Sequence, residues 1–308
     1  MDKQFDLIGI GECLIELFEE APHIYKQSVA GDVFNTLFYA SRVGLKTGFI
    51  SNFGSDELTK NILEVMDREG IDRSCTSRSE KKTNGMYLIS INESGDPYYS
   101  FWRSDSAARE TLQTIDVKKL EEYISSSKYF HFSAIAFAIL HEREILISLL
   151  KKLHGKVRIT FDTNFRKGLW DDISILKNFI ESASSFVDVL FVSKTDDEDI
   201  FGVRTAEEAM KYYQELRYKL IIYKQGADDV LVCDGNIIIR VPTIKNIKVV
   251  DATAAGDAFN AGFIAAQIHG ENIESSVHAG NSCAAFAIGR RGGLADDFQM
   301  RIGIKRTD

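Results

Sequence analysis

The chain has 308 residues, of which 44% are hydrophobic and 27% are charged, with a formal net charge of −8. This composition is typical of a soluble globular protein with a large core, and an acidic balance without a basic stripe disfavours nucleic acid as a partner. The amino terminus lacks the apolar run of a signal peptide, and no stretch approaches the roughly 18 apolar residues of a membrane span. A cytoplasmic protein with no membrane contact is therefore expected.

The first third of the chain alternates short apolar strands with helices. Residues 5–10 have the pattern of a buried strand, and residues 13–18 alternate weakly as a second one. A helix is predicted up to Arg42, followed by a strand over 45–53 and an amphipathic helix over 57–69 that Gly70 stops.

Residues 84–101 change character. Two extended stretches flank Asn92-Glu-Ser-Gly95, which is a hairpin signal. We interpret residues 12–18 and 84–103 as a small β-sheet lid. Because exposed apolar strands are a liability, we expect this lid to close over substrate, to join a second copy of the chain in a homo-oligomer, or both.

From residue 115 onward, helices alternate with apolar strands, which are predicted at 129–132, 157–161, 187–192 and 220–223, with a hairpin over 230–241. This alternation predicts a mostly parallel sheet with helices on both faces, a three-layer α/β/α sandwich in one domain spanning 1–308. Ligands bind such sheets at the carboxyl ends of the strands. Asp162, Ser193 and Lys224 all fall at such ends.

Residues 248–257 combine a predicted strand over 248–250, a turn of small residues and a helix that is predicted from Asp257 onward. Free amides and the helix dipole make such a helix start an anion site. Asp257 has two interpretations. It caps the helix, which is the commonest use of an aspartate there, or it accepts a proton beside a reacting phosphoryl group.

Asp251-Ala-Thr-Ala-Ala-Gly-Asp257 resembles the D-T-x-[GA]-A-G-D signature of the ribokinase-like, or PfkB, sugar kinases, with Ala252 departing from the usual Thr. Ala254 stands where many members have Gly, and Ala there also occurs in the branch that phosphorylates 2-keto-3-deoxygluconate. The resemblance implies that the amides of Ala255 and Gly256 stabilise charge on the transferred phosphoryl group. It also implies that Asp257 is the general base.

The segment from Ala30 to Asn35 resembles the family's G-G-D-x-x-N element, with Ala30 replacing the first Gly. The resemblance implies that Gly31, Asp32 and Asn35 contact sugar hydroxyls. A plain helix cap by Asp32 is the other interpretation, and both can hold.

Two arginines lie in motifs that resemble those of the keto-acid branch. Phe101-Trp-Arg103 resembles Y-W-R, with Phe101 in place of a tyrosine, and Tyr87 is a nearby hydroxyl donor. Arg166 ends a stretch that resembles D-x-N-x-R. Because the guanidinium fork suits a carboxylate, Arg103 and Arg166 are predicted to bind the acid group of a substrate. The alternative for either arginine is a solvated surface residue.

The resemblance also implies that one side of the site binds the nucleotide ATP. Ser193-x-x-Asp196 occupies the place of a magnesium-associated motif, so Mg2+ would arrive with ATP and meet Asp196 through water. A monovalent cation near Asp251 is a further expectation. The absence of GxxxxGK[ST] excludes a Walker-type site. The predicted nucleotide-binding residues are Asn164, Ser193, Lys224, Gly226, Ala227, Ala254, Gly256 and Asn281.

The resemblance runs from Gly11 to Gly293 and implies an ATP-dependent kinase of 2-keto-3-deoxygluconate that forms the 6-phosphate and ADP. A fructokinase or another sugar kinase of the family is the first alternative, favoured by the departures at Ala252 and Phe101. A non-catalytic binding module with the ribokinase fold is the second.

Overall fold

The computed structural model describes residues 3–21, 23–91 and 97–300. Its strands are β1 (Phe5–Ile10), β2 (Leu14–Ala21), β3 (Ile24–Ala30), β4 (Thr47–Phe53), β5 (Thr76–Arg78), β6 (Met86–Ile91), β7 (Pro97–Trp102), β8 (Ser127–Ser133), β9 (Arg158–Asp162), β10 (Val189–Ser193), β11 (Leu220–Lys224), β12 (Val230–Asp234) and β13 (Ile237–Val241). Its helices are α1 (Asp32–Arg42), α2 (Thr59–Glu69), α3 (Thr111–Thr114), α4 (Val117–Ser125), α5 (Ala134–Ile139), α6 (Arg143–Leu153), α7 (Ser174–Ala183), α8 (Lys194–Phe201), α9 (Ala206–Glu215), α10 (Ala255–Ile268) and α11 (Ile273–Ala287).

The central sheet has nine strands in the order β13-β12-β11-β10-β9-β8-β1-β4-β5. The seven neighbouring strands from one edge inward, which are β5, β4, β1, β8, β9, β10 and β11, run parallel to one another. Strands β12 and β13 form an antiparallel hairpin at the other edge. The predicted parallel sheet and the predicted hairpin are both confirmed.

Helices cover both faces of this sheet because alternate residues of each strand point to opposite sides. Leu190 and Val192 of β10 join one core with α4, α6, α7 and α9. Val189 and Phe191 of the same strand join a second core with α1, α2, α10 and α11. The three-layer α/β/α sandwich is therefore confirmed. No helix in the described ranges is both long enough and apolar enough to cross a bilayer.

A second, smaller sheet has the order β3-β2-β6-β7. Its β2–β3 and β6–β7 pairs are antiparallel, whereas β2 and β6 are parallel. Strand β3 was not predicted, because residues 24–27 are all exposed and offer no alternation of apolar and polar residues. The predicted turn at 92–95 lies outside the described residues.

The predicted strand over 248–250 is wrong. Val249 and Val250 are exposed and belong to an irregular segment. The amides of Val250 and Asp251 both donate to one carbonyl, that of Ile288, so the segment has no ladder with a neighbouring strand. A run of β-branched residues favours a strand locally, but a strand forms only when it pairs with a neighbour, and this segment pairs with none of the described strands.

Candidate active site

Five predicted site residues come together where strands end and two helices begin. Asp162, Ser193 and Lys224 are the last residues of the neighbouring strands β9, β10 and β11. Asp32 opens α1 and Asp257 lies in the first turn of α10, and these two helices pack against each other. The convergence at the carboxyl edge of the sheet is the one expected for a parallel α/β fold.

Asp257 is buried and held by two amide side chains. Asn35 Nδ2 donates to Asp257 Oδ2 at 2.8 Å, and Asn164 Nδ2 lies 3.4 Å from Asp257 Oδ1 and 3.4 Å from Asp32 Oδ2. Burial, and then the charge of Asp32, raise the pKa of Asp257 well above that of an ordinary aspartate. Such a shift makes the carboxylate a stronger proton acceptor than an ordinary aspartate.

The capping interpretation of both aspartates is wrong. The residue that caps α10 is Ala254, in a left-handed conformation at φ 61°, and the cap of α1 is Gly31. Neither helix has a side-chain capping bond, so Asp257 and Asp32 direct their carboxylates elsewhere. Asp32 Oδ1 is buried without a hydrogen-bond partner among the described residues, and burial raises the pKa of Asp32.

The start of α10 leaves backbone amides open. The Ala255 amide donates to Ala252 O at 3.3 Å, whereas the amides of Gly256 and Asp257 have no acceptor in the described part of the chain. A Cβ placed on Gly256 would lie 3.4 Å from Lys224 Nζ, so the ammonium group stands beside this helix start. An open amide and an ammonium group side by side favour an anion.

Lys224 is held by Asp162 and by a residue that the sequence analysis missed. Its Nζ lies 3.3 Å from Asp162 Oδ2 and 3.2 Å from Asn260 Oδ1, and Asn260 Nδ2 donates to the same Asp162 oxygen at 2.6 Å. Asn260 follows Asp257 by three residues, so a helix brings both to one side. That spacing was the available signal.

Asp196 is buried rather than part of a solvated helix start. Its carboxylate accepts from Thr163 Oγ1 at 3.0 Å and from the Phe165 amide at 3.1 Å, while Ser193 Oγ caps α8 through the Asp196 amide. Burial raises the pKa of Asp196. No group of three acidic, histidine or cysteine side chains suited to a metal occurs within residues 3–21, 23–91 and 97–300.

Of the remaining predicted nucleotide-binding residues, Gly226 and Ala227 lie on the turn that follows β11, and Asn281 lies in α11. Gly226 has φ 64° and open space around it, and Ala227 is exposed. Asn281 of α11 is buried and donates through Nδ2 to Pro242 O at 3.1 Å, so it fixes the chain just after β13.

The small sheet carries three of the predicted substrate residues. Tyr87 is buried, stacks on Phe101 with 5.4 Å between ring centroids and donates its hydroxyl to Glu16. Arg103 lies over the Phe101 ring at 5.0 Å and forms an ion pair with Glu12. Glu12 and Glu16 were missed, although two acids in an otherwise apolar stretch are a signal for buried, partnered charges.

Arg166 differs from Arg103 in its surroundings. It is exposed just after β9, and its Nη1 donates to Phe165 O at 2.7 Å. The two predicted carboxylate ligands therefore do not form one preformed fork in this structure.

The fold thus places a buried carboxylate in the first turn of a helix whose start favours an anion. The model of the pfkB family of carbohydrate kinases matches residues 6–297. The chain belongs to this family, and it is an ATP-dependent carbohydrate kinase of the ribokinase-like fold.

Individual relatives agree with this assignment. A 2-dehydro-3-deoxygluconokinase of Escherichia coli K12 is 30% identical over 92% of this chain and 95% of its own length. An ATP-dependent 6-phosphofructokinase of Thermoanaerobacterium thermosaccharolyticum is 28% identical, over 96% of this chain and 91% of its own. Among solved structures, a putative ribokinase II of Escherichia coli in complex with ATP and magnesium has a TM-score of 0.81 at 22% identity, covering 94% of each chain.

Proposed function

We propose that this kinase phosphorylates 2-keto-3-deoxygluconate, also called 2-dehydro-3-deoxygluconate, at its terminal hydroxyl, giving the 6-phosphate and ADP. The observation that carries this proposal is the Arg103 guanidinium at the base of the small sheet. It pairs with Glu12, whose carbonyl approaches Gly31 at the start of the helix that carries Asn35. The name of the Escherichia coli relative supports the same substrate.

The proposed chemistry needs one proton acceptor and stabilisation of negative charge. The terminal hydroxyl attacks the γ-phosphorus of ATP, its proton passes to Asp257, and the bond to ADP breaks. The 2.8 Å bond from Asn35 orients the Asp257 carboxylate. Charge on the transferred group is stabilised by Lys224 and by the amide of Gly256, with the Ala255 amide joining once it leaves Ala252 O.

We assign the sugar hydroxyls to Gly31, Asp32 and Asn35, and the carbon chain of the substrate to the ring pair of Tyr87 and Phe101. The acid group is assigned to Arg103, with Arg166 reaching in from its exposed position when substrate binds. Arginine suits this task because its planar N–H groups match a carboxylate.

We assign the nucleotide to the side of Asp257 opposite to the sugar acid. The residues assigned to it are Ser193, Lys224, Gly226, Ala227 and Asn281. Magnesium, when bound with ATP, neutralises phosphate charge, and Asp196 would meet it through water. Asn164 is assigned to the boundary, because its amide lies equally far from Asp32 and Asp257. A monovalent cation near Asp251 stays a prediction.

A neutral-hexose kinase, such as a fructokinase, is the second candidate. The ion pair between Arg103 and Glu12 favours it, since a neutralised guanidinium has less attraction for an acid. The departures at Ala252 and Phe101 favour it as well.

An ADP-release assay over a panel of sugars and sugar acids separates the two candidates. We expect kcat/KM for 2-keto-3-deoxygluconate to exceed that for fructose by about 10²-fold or more, because a site built for a polar group discriminates strongly against substrates that lack it. Turnover of neutral hexoses without turnover of the keto acid would replace our substrate with the second candidate.

A further inference from the structure

The small sheet joins the rest of the molecule through a crowded base. The chain crosses it at residues 11–13, at Gly31, at Gly85 and at Arg103. A Cβ on Gly31 would lie 2.1 Å from the Glu12 carbonyl oxygen, and one on Gly85 would lie 2.9 Å from Arg103 Cβ. Side chains at this base are therefore held in a tightly packed frame.

Glu12 and Arg103 meet at this base. Arg103 Nη1 lies 2.8 Å from Glu12 Oε1, and the two side chains are only 10% and 1% exposed. The contact is an ion pair without the alignment of a hydrogen bond, because neither Glu12 oxygen has a donor in bonding geometry among the described residues. A buried carboxylate that is unsatisfied in this way depends on the neighbouring guanidinium for its stability.

The rest of the Arg103 guanidinium is uncommitted within the described ranges. Its Nε and Nη2 groups have no hydrogen-bond acceptor there, and its π-face rests on Phe101. Glu12 thus occupies one amino group and leaves the others for a ligand. The planar fork can bind a second carboxylate through those remaining donors.

Glu16 repeats this arrangement four residues later. It is fully buried and accepts the hydroxyl of Tyr87. Glu16 lies in β2, and Glu12 lies in the segment just before it. The start of the small sheet therefore places a buried acid against each of two candidate substrate residues.

We propose that Glu12 is a positioning residue for sugar-acid recognition, which holds Arg103 in place so that its remaining N–H groups meet the substrate carboxylate. This inference rests on the proposed function. A guanidinium that is already fixed loses less conformational freedom when the substrate binds, and preorganisation of this kind improves affinity without any new contact.

A double-mutant cycle on Glu12 and Arg103 tests the inference. We expect Glu12→Gln to raise KM for 2-keto-3-deoxygluconate by about tenfold, the scale of one hydrogen bond to a charged group. The kcat and the KM for ATP are expected to change by less than about twofold, since ground-state binding of the acid is what is lost. Arg103→Met should raise the same KM at least as much, and the double variant should match Arg103→Met alone.

Glu16→Gln is the matched control, because it removes an acid of equal burial in the same sheet that holds a different partner. Expressed as free energies, the effects of Glu16→Gln and Arg103→Met on the KM for 2-keto-3-deoxygluconate should add. If the effects of Glu12→Gln and Arg103→Met also add, Glu12 does not act through Arg103 and the inference is overturned. If Arg103→Met does not fold, Arg103→Lys takes its place in the cycle.

The wild-type enzyme keeps the two ideas distinguishable. A wild type that does not phosphorylate the keto acid would refute the proposed function and, with it, the inference. A wild type that phosphorylates the acid normally but gives an additive cycle would refute the inference alone.

Discussion

Asp257 shares the centre of the site with two other acids. Burial raises the pKa of Asp257 most, and Asp32 and Asp162 raise it further, while Asn35 and the Lys224 ammonium oppose that shift. Burial and the neighbouring negative charges disfavour the charged form of Asp257. If Asp257 is the proposed base, the activity of the enzyme therefore depends on pH.

Asp257→Asn should abolish turnover while ATP still binds. Loss of a general base typically costs about 10²–10⁴ in rate, and the isosteric amide leaves the helix start in place. Stopped ADP release together with normal ATP affinity by calorimetry would meet this expectation. Near-wild-type turnover would remove Asp257 as the base.

The pH dependence follows from the same shift. Because the pKa of Asp257 is raised in the folded state, kcat/KM should increase with pH through that raised value, above the range of an ordinary aspartate. The shift also means that the folded protein loses stability as pH increases from the unfolded pKa to the folded one. Asp257→Asn should accordingly have an unchanged or higher melting temperature at neutral pH.

At the scale of secondary-structure elements, the segment that connects the small sheet to α1 decides where two predicted substrate residues lie. Gly31 connects β3 to α1 against the Glu12 carbonyl, so the segment that carries Asp32 and Asn35 is placed by a contact that only glycine permits. Its φ of 178° is ordinary extended backbone, so the requirement is for space and not for an unusual conformation.

Gly31→Ala should therefore displace the start of α1. We expect a loss of about 1–3 kcal/mol in the free energy of unfolding, as for other overpacked sites, together with a raised KM for the sugar. Gly168→Ala is the control, because a Cβ there meets nothing within 4 Å and φ is not positive. Urea denaturation and steady-state kinetics measure both effects. Equal stability of the two variants would contradict the close approach at Gly31.

At the scale of the whole molecule, the small sheet leaves apolar side chains uncovered. Tyr98 and Trp102 of β7 are 61% and 56% exposed, on the face opposite to Tyr99 and Phe101. Leu88 of β6 is half-buried and pairs with Ser100, on the same face as Tyr98 and Trp102. We propose that this face joins a second copy of the chain, since contiguous exposed apolar patches mark interfaces.

Tyr98→Asp combined with Leu88→Asp should break that assembly. Light scattering is expected to give a multiple of 34.6 kDa for the wild type and the monomer mass for the double variant, because a buried unpaired charge opposes association. Val203→Asp serves as the control, since Val203 is exposed in a loop outside the small sheet. A monomeric wild type would rule out this interface.

The local sequence pattern was enough to predict several features. These are the first strand, the helices over 32–42 and 59–69, the hairpin at β12–β13 and the family signature at 251–257. These features are encoded by residues close in sequence, so periodicity and turn residues reveal them. The same local reading failed at 248–250 and at β3. Whether an extended segment becomes a strand depends on the partner edge that the rest of the chain offers.

The sequence by itself determined the fold class, the family and the identity of the residues at the carboxyl edge of the sheet. Only the tertiary structure decided which of them touch. It paired Arg103 with Glu12, Tyr87 with Glu16, and Lys224 with Asp162 and Asn260, and it left Arg166 exposed. Such contacts join residues that are tens of positions apart, and a buried charge takes whichever partner the packed chain brings within reach, which no local pattern encodes.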